Sequence, residues 1–133
     1  MMTYFYEKNF MYKSLIVVFI LLGAFSARAQ QNLANSSWTG IANIPSPEEV
    51  SLTFTKDSMQ LSYQGNVLET MSYSVNKDTL RIQKLSGMSP CESQVGVYTY
   101  KIDADKFYIK VVDDGCEHRA AAFVTEAYTR NKQ

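Results

Sequence analysis

The chain has 133 residues, with 13 basic and 13 acidic side chains and no formal net charge. That balance supplies no basic surface for nucleic acid or anionic lipid. Two cysteines and a single histidine are too few for a metal centre built on several thiolates.

In chain order, the first element is a leader. Lys13 precedes an apolar run of eleven residues, Leu15 to Phe25, followed by Ser26-Ala27-Arg28-Ala29-Gln30. A positive flank, a short apolar stretch and small residues at Ala27 and Ala29 are the three parts of a secretory signal. A membrane-spanning helix needs roughly 20 apolar residues, so the run reads as a cleavable leader and not as a stable span. The expected organisation is a signal peptide over 1–29 and one folded domain over 30–133. Met11 is an alternative start that leaves a leader of 19 residues. The product is expected outside the cytoplasm, either periplasmic or extracellular. Removing 1–29 leaves 104 residues, 10 basic and 12 acidic, with a net charge of −2. That length supports one modest core.

The rest of the chain shows no sustained 3.6-residue apolar period, and turn-forming residues recur every eight to twelve positions. This spacing predicts an all-β sandwich or barrel of short strands. Eight strands are expected: Ser37–Asn43, Glu49–Thr55, Met59–Tyr63, Val67–Val75, Thr79–Gln83, Val95–Ile102, Phe107–Val112 and Ala120–Thr129. The second alternates cleanly, with Val50, Leu52 and Phe54 on one face and Ser51, Thr53 and Thr55 on the other. Met71, Tyr73 and Val75 share a face of the fourth, and Leu80 and Ile82 one of the fifth. The connections are short, so consecutive strands should pair antiparallel in an up-and-down order. Closing such a meander into an eight-stranded barrel hides its edges. A two-sheet sandwich is the alternative.

Both cysteines fall in the exported part, where an even count reads as a disulfide. Around the turn Asp103-Ala104-Asp105-Lys106, a two-residue loop sets Ile102 opposite Phe107, Tyr100 opposite Ile109 and Tyr98 opposite Val111. One face is then wholly apolar, and burial selects this register. Continued outward, it sets Ser93 opposite Cys116 and Cys91 opposite His118, with a bulge at Gly115 to close the gap. A Cys91–Cys116 bond is expected to staple this hairpin and to stabilise it by roughly 3–4 kcal/mol.

Two stretches carry a family resemblance. Leu33-Ala34-Asn35-Ser36-Ser37-Trp38-Thr39-Gly40 resembles the first strand of lipocalins and their calycin relatives, with Ser36 where those have a glycine. Ser89-Pro90-Cys91, Gly96-Val97-Tyr98-Thr99-Tyr100, Val111 to Cys116 and Arg119 resemble the C-terminal half of small exported bacterial lipocalin-like domains. The resemblance implies an eight-stranded barrel open at one end. It also implies that an arginine of the last strand, Arg130 with Arg119 as competitor, packs across Trp38.

The expected interior is apolar and aromatic: Phe54, Leu61, Met71, Tyr73, Tyr98, Tyr100, Ile109 and Phe123. Such a barrel is either filled by these side chains or holds one small ligand among them. Asp113, Asp114, Glu117 and His118 form the densest titratable cluster, which reads as a solvated turn beside the disulfide. Glu48 with Glu49 is a lesser cluster. Asp103 and Asp105 read as turn formers and lack the further oxygen ligands of a calcium site. No nucleophile motif, phosphate loop or cofactor motif is present. The expected function is therefore non-enzymatic: an exported protein holding a small apolar or amphipathic molecule. The alternative is a protein-interaction module, similar to periplasmic protease inhibitors, that acts through a protruding segment from Gln30 to Ser36.

Overall fold

The computed structural model describes residues 32–123 and 127–132. The leader expected over 1–29 lies outside them. Burial follows the two-residue period of strands. In β1 (Ser36–Asn43) Ser36, Trp38 and Ala42 are buried, and in β2 (Pro47–Phe54) Val50, Leu52 and Phe54 are. Further inward residues are Met59 and Leu61 in β3 (Ser58–Tyr63) and Glu69 and Met71 in β4 (Asn66–Asn76). Leu80 and Ile82 follow in β5 (Thr79–Gly87), Tyr98 in β6 (Gly96–Asp103), and Phe107 and Ile109 in β7 (Lys106–Asp114).

Each strand pairs antiparallel with the next, and β8 (Tyr128–Arg130) pairs with β1, so the sheet closes into an eight-stranded up-and-down barrel. The sandwich alternative is excluded by that closure. The turns follow from chain direction and local chemistry. Tyr63 pairs with Asn66 across Gln64-Gly65, and both loop residues take positive φ, as a tight hairpin of matching twist requires.

The hairpin β6–β7 has the expected register: Ile102 faces Phe107, Tyr100 faces Ile109 and Tyr98 faces Val111. Its bulge is not at Gly115. Val112 is the extra residue, because Tyr98 pairs with Val111 while Val97 pairs with Asp113. Val112 is exposed, so the bulge keeps Asp114 on the interior side while an apolar residue turns to solvent. The ladder ends at Gly96 opposite Asp114, so Ser93 and Cys91 pair with nothing in it. The Cys91–Cys116 disulfide forms nonetheless, with Cα atoms 5.5 Å apart.

The expected eighth strand, Ala120–Thr129, is the main correction. Its first residues belong to a helix, α1 (Glu117–Ala122), and the strand that closes the barrel is only Tyr128–Arg130. The sequence Glu117-His118-Arg119-Ala120-Ala121-Ala122 contains three alanines, the strongest helix formers, and no β-branched residue. Helix α1 begins immediately after the disulfide and lies over the barrel end where β6 starts and β7 finishes.

Strand directions place Trp38, Phe54, Phe107 and Tyr128 toward the opposite end. Phe107 touches the other three, with ring centroids 5.5, 5.8 and 6.1 Å away. The guanidinium of Arg130 lies 4.2 Å from the Trp38 ring centre, and Asn131 closes the seam through its backbone bond to Ser37 and its side-chain bond to Thr39. Arg130, not Arg119, therefore packs across Trp38. Tyr128 fits because Gly40 has no side chain: a Cβ there would penetrate its ring.

Two stability outcomes follow. Gly40→Ala is expected to lower stability by about 1–3 kcal/mol through overpacking against Tyr128, read from urea unfolding. A midpoint equal to wild type would show that the ring moves aside freely. Replacing both cysteines by alanine opens a loop whose ends are 25 residues apart and should remove about 3.5 kcal/mol in the chain-entropy account. A loss under about 1 kcal/mol would assign little stability to the bond.

Candidate functional site

The barrel is filled at one end and hollow at the other. A cavity of about 430 Å³ lies at the end covered by α1. Three segments wall it: the β1–β2 turn with Ile44 and Pro45, the β3–β4 pair with Leu61, Leu68 and Met71, and the stretch Met88 to Cys91. Helix α1 supplies His118, Arg119 and Ala122, and Phe123 follows. The volume falls within the range of about 300–1,000 Å³ usual for small-molecule sites. The lining is mainly apolar, and Met88, 83% exposed, stands at its rim.

Of the residues expected to line a ligand site, Leu61, Met71 and Phe123 border this cavity. Phe54, Tyr73, Tyr98, Tyr100 and Ile109 do not. Tyr98 meets Phe123 edge-on at 5.7 Å beneath α1, while farther from it Phe54 meets Tyr73 edge-on at 5.2 Å and Tyr100 meets Phe107 at 6.2 Å. The Tyr73 hydroxyl donates to the Thr55 carbonyl at 2.5 Å. Burial raises the pKa of both Tyr73 and Tyr100, helped by Asp57 and Asp78 respectively.

Beneath α1 lies a buried ionic cluster. Asp114 is fully covered and the Arg119 side chain is 4% exposed. Arg119 donates from Nε to Asp114 Oδ2 at 2.7 Å and from Nη2 to Asp114 Oδ1 at 2.8 Å. Asp114 Oδ2 also accepts the Tyr98 hydroxyl, and Oδ1 accepts the Cys116 N–H at 2.9 Å. The Arg119 Nη2 donates again to the Gln94 carbonyl at 2.7 Å. Only Arg119 Nη1 has no acceptor. Gly96 leaves the room for this cluster, since a Cβ there would run into Asp114 and Tyr98.

The cluster overrules the reading of Asp113, Asp114, Glu117 and His118 as one solvated turn. Asp113, Glu117 and His118 are exposed, while Asp114 is turned inward. Burial alone would raise the Asp114 pKa. The hydrogen bonds from Arg119, Tyr98 and the Cys116 N–H, with the Arg119 charge, outweigh it and hold the carboxyl below its ordinary value. Burial and the bond to Asp114 push the Tyr98 hydroxyl well up, so it stays protonated. Arg119 is disfavoured by burial, yet Asp114 raises its pKa on balance.

A second charged pair lies in the wall. Glu69 is buried and accepts the Ser89 hydroxyl at 2.5 Å and the Ser89 N–H at 3.1 Å. Lys84 Nζ donates to the Ser89 carbonyl at 2.5 Å and stands 3.9 Å from Glu69. Together they hold the Met88–Cys91 stretch across the mouth. These two residues were missed from sequence, although the signal was legible: Glu69 is two positions before Met71 and Lys84 two after Ile82, on the interior face.

Cys116 is spent in the disulfide, so it offers His118 no thiolate partner for a metal. Among the described residues no three His, Cys, Asp or Glu side chains gather around a common point. Of the segment expected to protrude, residues 32–36 are tied to the barrel. Leu33 is 1% exposed, its carbonyl accepts the Ser36 hydroxyl, and Trp38 Nε1 donates to Ser36 Oγ at 2.9 Å. Among the described residues no helix is long and apolar enough to cross a membrane. No known protein family matches the sequence, and neither curated proteins nor solved structures include a detectable relative.

The sign of the pH dependence follows from Asp114. Its pKa is lower folded than unfolded, so the stability it contributes is complete above the unfolded value, near 4, and is lost as pH falls through the folded one. Asp114→Asn should lower stability at neutral pH by about 3 kcal/mol, since Arg119 loses its buried partner. Its stability should also decline less steeply than wild type below about pH 4. Parallel acid curves from denaturant melts would contradict this role.

Proposed function

We propose that the domain is an exported, non-enzymatic binding protein that holds one small apolar molecule in the cavity beneath α1. The observation that carries the reading is the cavity itself: about 430 Å³, walled by Leu61, Leu68, Met71, Met88 and Phe123, at one end of a closed barrel whose other end is packed solid. The space opens to solvent at its mouth, and its concave, mainly apolar wall suits an apolar occupant.

The surrounding chemistry favours holding over turnover. The carboxylates bordering this end, Glu69 and Asp114, are engaged by Lys84, Ser89, Arg119 and Tyr98. General acid–base work brings several titratable groups together at the substrate, whereas the remaining one of this lining, His118, stands on the solvent side of α1. Export is supported by the leader pattern and by the Cys91–Cys116 bond, which persists in an oxidising compartment. A lipocalin-like relationship is supported by the barrel order and by Arg130 lying over Trp38.

A neutral solvatochromic dye such as Nile red tests the reading. It should bind with a blue-shifted, enhanced emission. Leu68→Trp, a half-buried wall residue set at the β3–β4 bulge, should fill the space and abolish binding while keeping a β-rich circular dichroism spectrum. Absence of binding by wild type, or binding unchanged in the variant, would overturn it.

A further inference from the structure

The charges around the cavity restrict what enters it. Arg119, in the cavity wall, is neutralised by Asp114 through two hydrogen bonds, and Glu69, also in the wall, faces Lys84 at 3.9 Å. Each ion is therefore matched inside the protein, and an incoming charge would find no opposite charge left over. Desolvating an unmatched ion is strongly unfavourable. An anionic ligand would also bring a second negative charge toward Glu69, itself 9% exposed. His118, exposed on α1, is the remaining titratable group of the lining and stands at the solvent side.

The same wall carries one unmet hydrogen-bonding demand. Arg119 is 6% exposed, and its Nη1 has no acceptor although Nε and Nη2 have three between them. A buried donor without a partner is destabilising. A guanidinium whose charge is already balanced is satisfied there by a neutral oxygen as well as by an anion, and it gains the bond without a new charge to bury. Nη1 is shut off from solvent, so an oxygen reaches it by a small displacement of the neighbouring cavity wall that leaves the Nε and Nη2 bonds to Asp114 in place.

We propose that the cavity selects an uncharged molecule with an apolar body and one acceptor oxygen, of the ester or ketone carbonyl kind. The oxygen accepts from Arg119 Nη1, and the body lies against Leu61, Leu68, Met71 and Phe123. This assignment rests on the binding reading above and adds the polarity and charge of the ligand.

The test is displacement of Nile red from the disulfide-bonded protein by three molecules of like chain length: methyl octanoate, octanoate and octane. Methyl octanoate is expected to compete about tenfold more strongly than either of the others, the effect of one hydrogen bond to a charged donor. Arg119→Lys keeps a positive charge opposite Asp114 and removes Nη1. Within that variant methyl octanoate should compete no more strongly than octane. Should that variant not fold, the comparison on wild type decides alone. Equal competition by ester and alkane would overturn the acceptor assignment, and tighter binding of octanoate would overturn the exclusion of charge; either result leaves the cavity reading in place. If neither the dye nor any of the three binds, the binding reading falls and this assignment with it.

Discussion

The helix-covered end of this barrel depends on one carboxylate. Asp114 accepts from Tyr98 on β6, from Arg119 on α1 and from the backbone at Cys116. Arg119 extends the link to the loop before β6 through the Gln94 carbonyl. Four segments that share no ladder beyond Gly96 are thereby tied to one side chain. A buried ion pair is a costly device, and replacing it with apolar residues often loses nothing. Here the desolvation is offset by filling the acceptor positions of the carboxylate. The geometry also sets where α1 lies, and so the roof of the cavity.

The disulfide works on the same joint from the other side. Cys116 is the residue at which β7 gives way to α1, and its partner Cys91 belongs to the stretch that spans the mouth. Glu69 and Lys84 hold that stretch by hydrogen bonds to Ser89. The mouth is therefore framed by polar and covalent ties, and the wall within is left apolar. The far end uses the opposite solution, with Trp38, Phe54, Phe107 and Tyr128 packed ring to ring beneath Arg130. Packed core and open space are thus assigned to different ends of one short barrel.

The reading of single residues succeeded where the physics was local and failed where it was not. The β6–β7 register was legible because shifting it by one residue would have turned Tyr98, Tyr100, Phe107 and Ile109 outward. The staple was legible from an even cysteine count behind a leader pattern, although the register expected to carry Cys91 opposite His118 stops at Gly96. The bulge was placed at Gly115 on the strength of glycine's freedom, whereas the interior position demanded by Asp114 moved it to Val112. Read from sequence alone, Ala120–Thr129 is the eighth strand. The alanine run took the helix it favours, and three residues, Tyr128–Arg130, were enough to close the sheet.

The place of Arg130 over Trp38 was implied only by the family resemblance, whereas composition, periodicity and the cysteine count pointed to an all-β domain, antiparallel neighbours, a closed eight-stranded barrel ahead of a sandwich, and the Cys91–Cys116 pair. Each of the latter rests on alternation, turn chemistry, cysteine count or spacing along the chain. Only the tertiary structure decided that Tyr98 and Tyr100 lie outside the cavity lining, that the Asp114 side chain is buried, and that the space lies beneath α1. Whether an inward side chain fills the barrel or borders a cavity depends on what stands opposite it across the barrel. That distance is set by strand tilt, by bulges at Leu68, Leu85 and Val112, and by where a six-residue helix comes to rest. None of these is written in the period of any one strand.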